Sequence, residues 1–499
     1  MKLLLCVPNQ LVRLDGMKAR PAVSPPFGVL SIAAYVRQSE WRGSVQIYDA
    51  RLSAAFRRED DHWIFGDTDA QIETRIRSAN PDVIGISNMF SSQIDRAYHF
   101  ANLARQAAPN ATIILGGPHV SVFPLEALSR PCIDYVVIGE GEERLSQLLI
   151  ALQRGENHPQ IPGVAADRDD LDLLRPNPRA PVSFADPLDK LPFPAYDLVD
   201  MESYFALARR GLSPRFREWG QRPISMLTSR GCPHKCVFCS IQTTMGYKFR
   251  AHSPAYARKH IQHLVDDYGV DFIHFEDDNL VHDTERYDQI VDFMLTFNPR
   301  IKWDTPNGVR GDAWTLERVR RAKKSGCQFL TVAIESGVQR VVDDIVRKRL
   351  DLKKVDEMMH YCQEVGLRLH AFYIIGFPGE TLSDIKATVA YALERYWRFG
   401  VVPMLQPLIP IPGTDVYDEI AAQGLHNGTI ETAYNQVKTG DFDPDVIQSI
   451  YRTYLRKRLL IFALRSLTSL SELAYNARLI LKYPKGAAYA ILNAVRANG

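Results

Sequence analysis

No stretch of this sequence approaches the roughly eighteen consecutive apolar residues that a membrane-spanning helix needs, so none is predicted. Net charge is also nearly absent: sixty Lys and Arg against fifty-eight Asp and Glu give +2, which does not favour nucleic acid as a partner. The N-terminal run, residues 1–8, is too short for the apolar core of a signal peptide. These absences favour a cytoplasmic globular protein, whose length allows about three domains.

Cysteine is scarce too, and four of the seven cysteines are scattered singly: Cys6, Cys132, Cys327 and Cys362. Without a paired framework, the sequence predicts no structural disulfide. The remaining three, Cys232, Cys236 and Cys239, form a C-x3-C-x2-C segment directly after a predicted strand. Thiolates at this spacing can surround one soft metal centre, which indicates either zinc or an iron–sulfur cluster.

Two interpretations of the cysteine segment remain open from its residues. Structural zinc normally takes four protein ligands, and His234 could supply the fourth. A four-iron cluster held by three thiolates would instead leave one iron free for an external ligand. With Phe238 before the last cysteine and the predicted strand Ile224–Ser229 before the first, the segment resembles the cluster loop of radical S-adenosylmethionine enzymes.

That resemblance implies a [4Fe-4S] cluster on the three cysteines, S-adenosyl-L-methionine bound to the open iron, and an electron donor such as flavodoxin or ferredoxin. It also implies a partial (β/α)6 barrel, which we assign to residues 222–430. Short apolar runs that alternate with helical patterns support the barrel. Its predicted strands are Ile224–Ser229, Phe272–Phe275, Ile301–Asp304, Phe329–Ile334, Leu369–Ile375 and Val402–Leu408.

Barrel enzymes hold their ligands at the carboxyl ends of the strands. There, Glu276 or Asp277 could hold the methionine ammonium group through a charge-assisted hydrogen bond. By resemblance, Glu335 occupies the place that contacts the ribose. Arg310 could pair with the methionine carboxylate, or alternatively form a structural ion pair with Asp312.

The other cofactor candidates in the barrel are Ser336, Ile375 and Gly376. Ser336 directly follows the ribose position. The resemblance places Ile375 or its neighbour Ile374 against the adenine, and Gly376 would let the backbone approach the ligand closely.

Residues 1–155 also alternate apolar runs with helical patterns, which predicts an α/β fold with a doubly wound parallel sheet. The predicted strands are Lys2–Val7, Val45–Tyr48, Asp82–Ser87, Thr112–Leu115 and Tyr135–Ile138. The predicted helices are Gly28–Gln38, Asp69–Ser78, Asp95–Ala107 and Glu142–Gln153. Ligands of such sheets bind outside the carboxyl ends of the strands. The candidate ligand residues there are Ser87, Asn88, Gly116, Gly117, Gly139, Glu140 and Gly141.

The Gly116–His119 turn and the Asp134–Glu142 strand ending resemble the cobalamin-binding domain of one branch of the radical enzymes. That branch includes the class B methyltransferases and the anaerobic magnesium-protoporphyrin ester cyclases, and the resemblance implies cobalamin as a further cofactor. Tight turns without a known ligand are the alternative. Where mutase-type domains have a histidine that binds cobalt, this chain has Arg51, and a guanidinium cannot ligate a metal. We therefore expect no histidine below the cobalt, with His119 as the remaining candidate or a structural residue of its turn.

The two domains are joined by residues 156–221, where recurring prolines between positions 159 and 194 predict a linker. Residues 431–499 are predicted to be helical. Positions 451–499 contain nine Lys or Arg and one Glu. A basic amphipathic helix can contact an anionic membrane or an acidic substrate, and a helical cap over the barrel is the alternative.

These features together predict a cobalamin-dependent radical enzyme that methylates an unactivated carbon of a small or lipid-like molecule through methylcobalamin and a 5′-deoxyadenosyl radical. The alternative is an oxidative cyclase or ring-rearranging enzyme with the same cofactors. A non-catalytic cobalamin or redox sensor is disfavoured, because the strand ends contain a complete set of cofactor motifs. Methylthiolation is disfavoured because the sequence has no second cysteine triad. No residue is assigned a catalytic role from the sequence.

Overall fold

The computed structural model describes residues 1–12, 23–59, 62–170, 186–212, 220–297, 300–426, 437–468 and 470–482. They belong to two compact units. The first unit contains Met1–Cys232 and Ser240–Val270, and the second contains Pro233–Cys239 and Asp271–Gly499.

The first unit is built around a sheet with parallel strands and helices on both faces. Its strands are β1 (Lys2–Val7), β2 (Gln10–Val12), β3 (Ser44–Asp49), β4 (Phe56–Glu59), β5 (His62–Phe65), β6 (Val83–Ser87), β7 (Thr112–Gly116), β8 (Tyr135–Val137) and β9 (Val164–Ala165). Its first helices are Phe27–Gln38, Asp69–Ala79, Ile94–Ala107, Pro118–Val122, Pro124–Leu128 and Gly141–Gln153. The main sheet has the order β3-β1-β6-β7-β8-β9, and its first five strands are parallel. When the five parallel strands are numbered in chain order within this sheet, the order is 2-1-3-4-5, which is that of flavodoxin-like sheets. Ligands of such sheets bind at the carboxyl ends of the strands.

The predicted doubly wound sheet is confirmed, because each predicted strand and helix appears with its ends shifted by one residue or two at most. Two additions were not predicted. β9 extends the sheet in antiparallel direction, and β2, β5 and β4 form a separate antiparallel sheet. β4 consists of Phe56-Arg-Arg-Glu59, and its mostly exposed charged residues lack the alternation that would indicate a strand.

Part of the proline-rich segment packs on the helix Pro254–Tyr268 of the same unit. Phe193 stacks on His260, with ring centroids 4.8 Å apart, and the hydroxyl of Tyr196 lies 3.1 Å from Nε2 of His260. Both Tyr196 and His260 are buried. Residues 186–212 therefore contribute to the core of the first unit, and they include a further helix, Met201–Arg209.

The stability of this contact should depend on pH. Burial, followed by the neighbouring residues His252 and His263, lowers the pKa of His260 to about 3. The unfolded chain binds a proton near pH 6.5. Since the unfolded state binds more protons than the folded state between these values, acidification from pH 6.5 to 4 should cost about 3 kcal/mol of unfolding free energy through this residue.

We expect His260→Gln to lose less stability than the wild type over that range, measured by urea unfolding. His263→Gln, at a more exposed position on the same helix, is the control, and identical pH slopes for His260→Gln and the wild type would contradict the assignment.

Three short strands of the first unit lie close to the cysteine segment in sequence: β10 (Pro223–Met226), β11 (Ser229–Arg230) and β12 (Arg250–Ala251). β11 and β12 form an antiparallel pair in which Arg230 lies opposite Arg250. Helices Ile241–Thr244 and Pro254–Tyr268 complete the unit.

The second unit contains parallel strands in sequence order: β13 (Phe272–Phe275), β14 (Lys302–Val309), β15 (Cys327–Glu335), β16 (Arg368–Ile375) and β17 (Val402–Pro407). Its α-helices are Thr284–Leu295, Leu316–Lys324, Leu352–Val365, Leu382–Phe399, Asp415–Gln423, Pro444–Thr468 and Leu470–Lys482, and Val341–Ile345 is a π-helix. These five strands overlap the predicted barrel strands, and β14 extends five residues beyond its predicted end at Asp304. In the C-terminal region, predicted to be helical from residue 431, the described helices begin at Pro444.

The two faces of this second sheet differ. One face is covered by helices: Trp303 donates from Nε1 to Oγ of Ser325, and Tyr373 packs against Tyr391 of the helix Leu382–Phe399. Because side chains alternate along a strand, the other face holds His274 and Asp304, which are hydrogen bonded at 2.7 Å. We call this second surface the inner face.

The C-terminal helix Pro444–Thr468 packs on the edge strand of the second unit. Tyr454 is buried, and its hydroxyl donates to the carbonyl of Pro403 in β17 at 2.8 Å. In the part of the chain that the structure describes, no helix is long and apolar enough to cross a membrane.

Candidate cofactor sites

The cysteine segment is held in a tight backbone geometry. Gly231 has φ +79°, and a Cβ at this position would lie 2.4 Å from the carbonyl oxygen of Lys248. Only glycine fits here without a shift of the backbone. The amide of Cys232 donates to Gly246, and the amide of Cys239 donates to the carbonyl of Cys236 at 3.2 Å.

The three cysteines are partly exposed and none is in a disulfide, so their thiolates can bind a metal centre. Structural zinc normally takes four protein ligands. The donor set on this loop is three thiolates, which fits an iron–sulfur cluster with one iron left for an external ligand.

A buried ion pair lies beside Cys236. Nζ of Lys348 is 2.7 Å from Oε1 of Glu335, and neither side chain is more than 8% exposed. Burial raises the pKa of the Cys236 thiol, and the positive charge of Lys348 opposes this rise. Deprotonation of this thiol would therefore depend on Lys348 and on the charge of a bound metal centre.

The backbone around this pair is strained. Glu335 has φ +72°, and Arg347 and Arg349, on either side of Lys348, have φ of +58° and +51°. Non-glycine residues rarely adopt this conformation, and each such residue costs on the order of 1 kcal/mol. Such strain persists where the surrounding structure enforces it, and it is concentrated at ligand sites.

Arg310 is engaged by protein groups. It donates to both carboxylate oxygens of Asp312, at 3.1 and 2.6 Å, and to the carbonyls of Lys348 and Arg349, each at 2.9 Å. The structure thus forms the ion pair that the sequence offered as the alternative role of Arg310. His234 lies 3.5 Å from the guanidinium, and burial, followed by Arg310, lowers its pKa to about 4.

The turn after β13 contains a residue that the sequence analysis passed over. Asp277 is buried, whereas Glu276 is half-buried and its carbonyl accepts from Asn307 at 2.6 Å. Asn279 is only 2% exposed, and neither of its amide atoms has a hydrogen-bond partner among the described residues. An unpaired buried amide costs about 1–3 kcal/mol, so a ligand or water that pairs with Asn279 would be favoured. A polar residue near the strand end was the only sequence signal.

The candidates on β15 and β16 take different positions. Ser336 is buried, and its hydroxyl lies 2.8 Å from that of Thr388. Ile375 is fully buried on the same face as Tyr373, the face that the helices cover. Ile374 is half-buried, and the strand alternation places it on the inner face. Gly376 has φ +93°, and a Cβ there would find its nearest neighbour at 3.8 Å.

Glu380 is a second residue that the sequence analysis did not single out. Its Oε2 accepts from the amides of Gly376 and Phe377, at 2.7 and 2.8 Å. Burial raises its pKa to about 7. Glu380 therefore fixes the turn after β16, and only the fold reveals this role.

In the first unit, the loop after β7 lies against the loop after β6 at Gly117. Gly117 has φ +123°, and a Cβ there would lie 1.9 Å from the carbonyl oxygen of Asn88. The amide of Asn88 donates to the carbonyl of Gly116 at 2.9 Å, and Ser87 is half-buried at the end of β6. These residues bring the two loops into close contact at the ligand-binding edge of the sheet.

This edge has the properties of a site for a large ligand. Asn88 is 2% exposed, and its Oδ1 has no hydrogen-bond partner within the described part of the chain. The next residues, Met89 and Phe90, are 59% and 57% exposed. An unpaired buried acceptor beside exposed apolar side chains fits a ligand with hydrogen-bond donors and broad apolar surfaces, such as a corrin.

The turn after β8 contains two glycines, Gly139 and Gly141, and the charged residue Glu140. Gly139 has φ +66°, and its amide donates to Oγ of Ser121 at 2.9 Å. A Cβ at Gly141 would lie 2.8 Å from Cδ1 of Ile32. Glu140 is ion-paired with Arg250 at 2.6 Å. The structure therefore places its carboxylate in a buried ion-pair network.

Arg51 and His119, the two residues considered for the lower face of a cobalt ion, are both buried. Arg51 donates to both carboxylate oxygens of Asp49, at 2.8 and 2.6 Å. His119 is buried against Phe123, and its Nε2 lies 3.5 Å from the carboxylate of Glu126. Burial lowers the pKa of His119, which favours the neutral ring.

Known families and structures match these features. The B12 binding domain family matches residues 16–149, and the radical SAM superfamily matches residues 226–392. Cytidylyl-2-hydroxyethylphosphonate methyltransferase of Streptomyces wedmorensis is 30% identical over 433 residues, which cover 81% of this chain and 79% of that protein. An uncharacterized methyltransferase of Pyrococcus horikoshii is 28% identical over 481 residues, covering 92% and 94%. The structure of the radical S-adenosylmethionine methyltransferase TsrM of Kitasatospora setae, with cobalamin and a [4Fe-4S] cluster bound, has the same fold, with a TM-score of 0.64. The match covers 89% of this chain and 83% of TsrM, at 16% sequence identity.

Proposed function

Because this chain belongs to the cobalamin-dependent radical S-adenosylmethionine enzymes, we propose that it is a methyltransferase that acts on an unactivated carbon of a small molecule. The observation that carries the proposal is the combination, in one chain, of both cofactor domains with a methyltransferase relative that is 30% identical over most of its length. The cysteine segment and the turn at Gly117 supply the two sites that such a reaction needs.

The cofactors of the family are a [4Fe-4S] cluster, S-adenosyl-L-methionine and cobalamin. When bound, the cluster supplies the electron that cleaves S-adenosylmethionine, and cobalamin carries the methyl group. Cys232, Cys236 and Cys239 would hold the cluster. In the first unit, the residues proposed to contact cobalamin are Ser87, Asn88, Gly116, Gly117, Gly139 and Gly141.

The protein groups near the cluster would bind and orient S-adenosylmethionine. Glu276 or Asp277 would accept from its ammonium group, and Asn279 adds an amide that lacks a protein partner among the described residues. Glu335, fixed by Lys348, would accept from the ribose hydroxyls. Glu380 holds the turn at Gly376 against which the adenine would lie.

The inner face supports a substrate whose reacting part is uncharged. On this face, the side chains near the carboxyl ends of β15, β16 and β17 are Ala333, Phe372, Ile374, Met404 and Gln406, and all five are partly or fully exposed. None of these side chains is charged. Met404 is 40% exposed, so the substrate would meet apolar surface with one amide for hydrogen bonding.

Reduction of the cluster requires a donor, and we propose a flavodoxin or ferredoxin in the cytoplasm, where low-potential reductants are maintained. Peripheral membrane contact is proposed for the C-terminal region. Leu460, Leu464 and Leu467 are 59%, 41% and 81% exposed on the helix Pro444–Thr468, and basic residues precede them at Arg452 and Arg456. Flotation with anionic liposomes tests this contact, and a protein that stays at the bottom of the gradient would contradict it.

Isotope transfer tests the methyltransferase proposal. The protein, reconstituted anaerobically and incubated with candidate substrates and S-adenosylmethionine deuterated at the methyl group, should give a product three mass units heavier than its unlabelled counterpart. 5′-Deoxyadenosine should accumulate at the same time. Deoxyadenosine with an unlabelled, cyclised or rearranged product would contradict methyl transfer and support the cyclase alternative.

A further inference from the structure

A buried network of four charged side chains lies at the two ends of residues 231–249, which contain the cysteine segment. β11 and β12 pair with Arg230 directly opposite Arg250, and residues 231–249, which include the three cluster cysteines, connect these strands. Like charges at opposite positions destabilise a strand pair unless counter-charges lie between them. The counter-charges here are Glu140 and Glu142, which follow β8 in the first unit.

The contacts of this network are specific. Arg250 donates to both oxygens of Glu140, at 2.6 and 3.0 Å. Arg230 lies 3.3 Å from Glu140 and 2.7 Å from Glu142, and the hydroxyl of Ser31 donates to Glu142 at 2.7 Å. None of the four charged side chains is more than 9% exposed. Two arginines thus balance two carboxylates inside the first unit.

Such a network is a poor source of stability. Desolvation costs several kcal/mol for each buried ion, and apolar replacements of buried ion pairs are often neutral or stabilising. A guanidinium instead supplies fixed geometry, because it binds carboxylates in the plane of its N–H groups. The arginines therefore hold the turn at residues 139–142 against both ends of residues 231–249.

We propose that the network of Glu140, Glu142, Arg230 and Arg250 couples the two cofactors, so that cobalamin at the turn and the cluster on the cysteine segment each strengthen the binding of the other. This inference rests on the proposed function, which makes both cofactors residents of the chain. A ligand that orders the turn after β8 fixes the carboxylates of Glu140 and Glu142. These carboxylates in turn fix Arg230 and Arg250 at the two ends of residues 231–249. By thermodynamic linkage, each cofactor raises the affinity for the other by the same factor.

The coupling is measured by cofactor binding and does not require turnover. The full chain is purified without oxygen, and hydroxocobalamin is titrated into samples with and without reconstituted cluster. We expect the Kd for cobalamin to be about tenfold lower when the cluster is present, within the usual range of coupling between sites. In the reverse experiment, cobalamin should slow the loss of iron to a chelator.

The decisive variant is Arg230→Met/Glu142→Gln. It removes one charge of each sign, leaves the pair of Arg250 with Glu140, and keeps an acceptor for Ser31. We expect this double variant to bind both cofactors. Its Kd for cobalamin with the cluster present should be within about twofold of its Kd without the cluster. The matched control is Arg395→Met/Asp356→Asn, which removes an ion pair between two outer helices of the second unit and should retain the tenfold ratio.

Several outcomes separate the possibilities. Equal Kd values in the wild type, or a tenfold ratio that persists in the double variant, would overturn the coupling. If the double variant does not fold, Arg230→Lys preserves the charge but reaches only one carboxylate, and it should reduce the ratio. A wild-type chain that holds neither iron nor cobalamin would instead contradict the proposed function itself.

Discussion

Replacement of Cys232, Cys236 and Cys239 together by alanine should abolish the cleavage of S-adenosylmethionine. The cluster supplies the electron for this step, and the side chains around it have no redox chemistry of their own. We expect the reconstituted variant to lose the broad visible absorbance of an iron–sulfur cluster and its iron, and to release no 5′-deoxyadenosine above the background without enzyme.

The control for this variant is Cys362→Ala. Cys362 is fully buried in the helix Leu352–Val365, so its loss affects packing alone. Burial raises the pKa of its thiol to about 12, which makes it a poor metal ligand. This control should keep its iron and its activity. A triple alanine variant that still binds four irons, or a wild type that binds one zinc ion in their place, would contradict the cluster assignment.

Glu335→Gln should produce the second large effect. The substitution leaves the ammonium group of Lys348 buried without its counter-ion, and breaking a buried ion pair in this way costs roughly 3–5 kcal/mol. We expect a loss of this size in chemical unfolding. The affinity for S-adenosylmethionine, measured by equilibrium binding to the reconstituted protein, should fall as well.

The double variant Glu335→Gln/Lys348→Met separates the structural role from the ligand role. It removes the buried charge that the single variant leaves unpaired, so most of the lost stability should return. If Glu335 binds the ribose, the affinity for S-adenosylmethionine should stay low in the double variant. An affinity that recovers together with stability would show that Glu335 acts only as the counter-ion of Lys348.

The architecture of both units could be predicted because its signals are local. β6 is a run of buried residues, Val83–Ile86, with a turn on either side, and the helix Asp69–Ala79 buries Ile72 and Ile76, spaced by four residues. These periods of apolar residues depend on short-range geometry. The strand β4 shows the limit: it pairs with the adjacent strand β5, but its residues are mostly exposed and lack the alternation that would indicate a strand.

The candidate site could be predicted only in part. The sequence offered Ile374 and Ile375 equally for the adenine contact, and only the packing of Tyr373 against Tyr391 shows which face of β16 the helices cover. Likewise, Asn279 and Glu380 are ordinary polar residues in the sequence. Their importance comes from burial, which depends on the whole fold.

By itself, the sequence determined the three thiols on one loop, the glycines that permit its turns and the order of strands and helices, because each depends on residues close together in the chain. Tertiary structure alone decided which charges meet. Arg250 pairs with Glu140 across 110 positions, and Arg230 pairs with Glu142 across 88. Such pairs depend on strand register and on the exclusion of water, and neither property can be read from local periodicity.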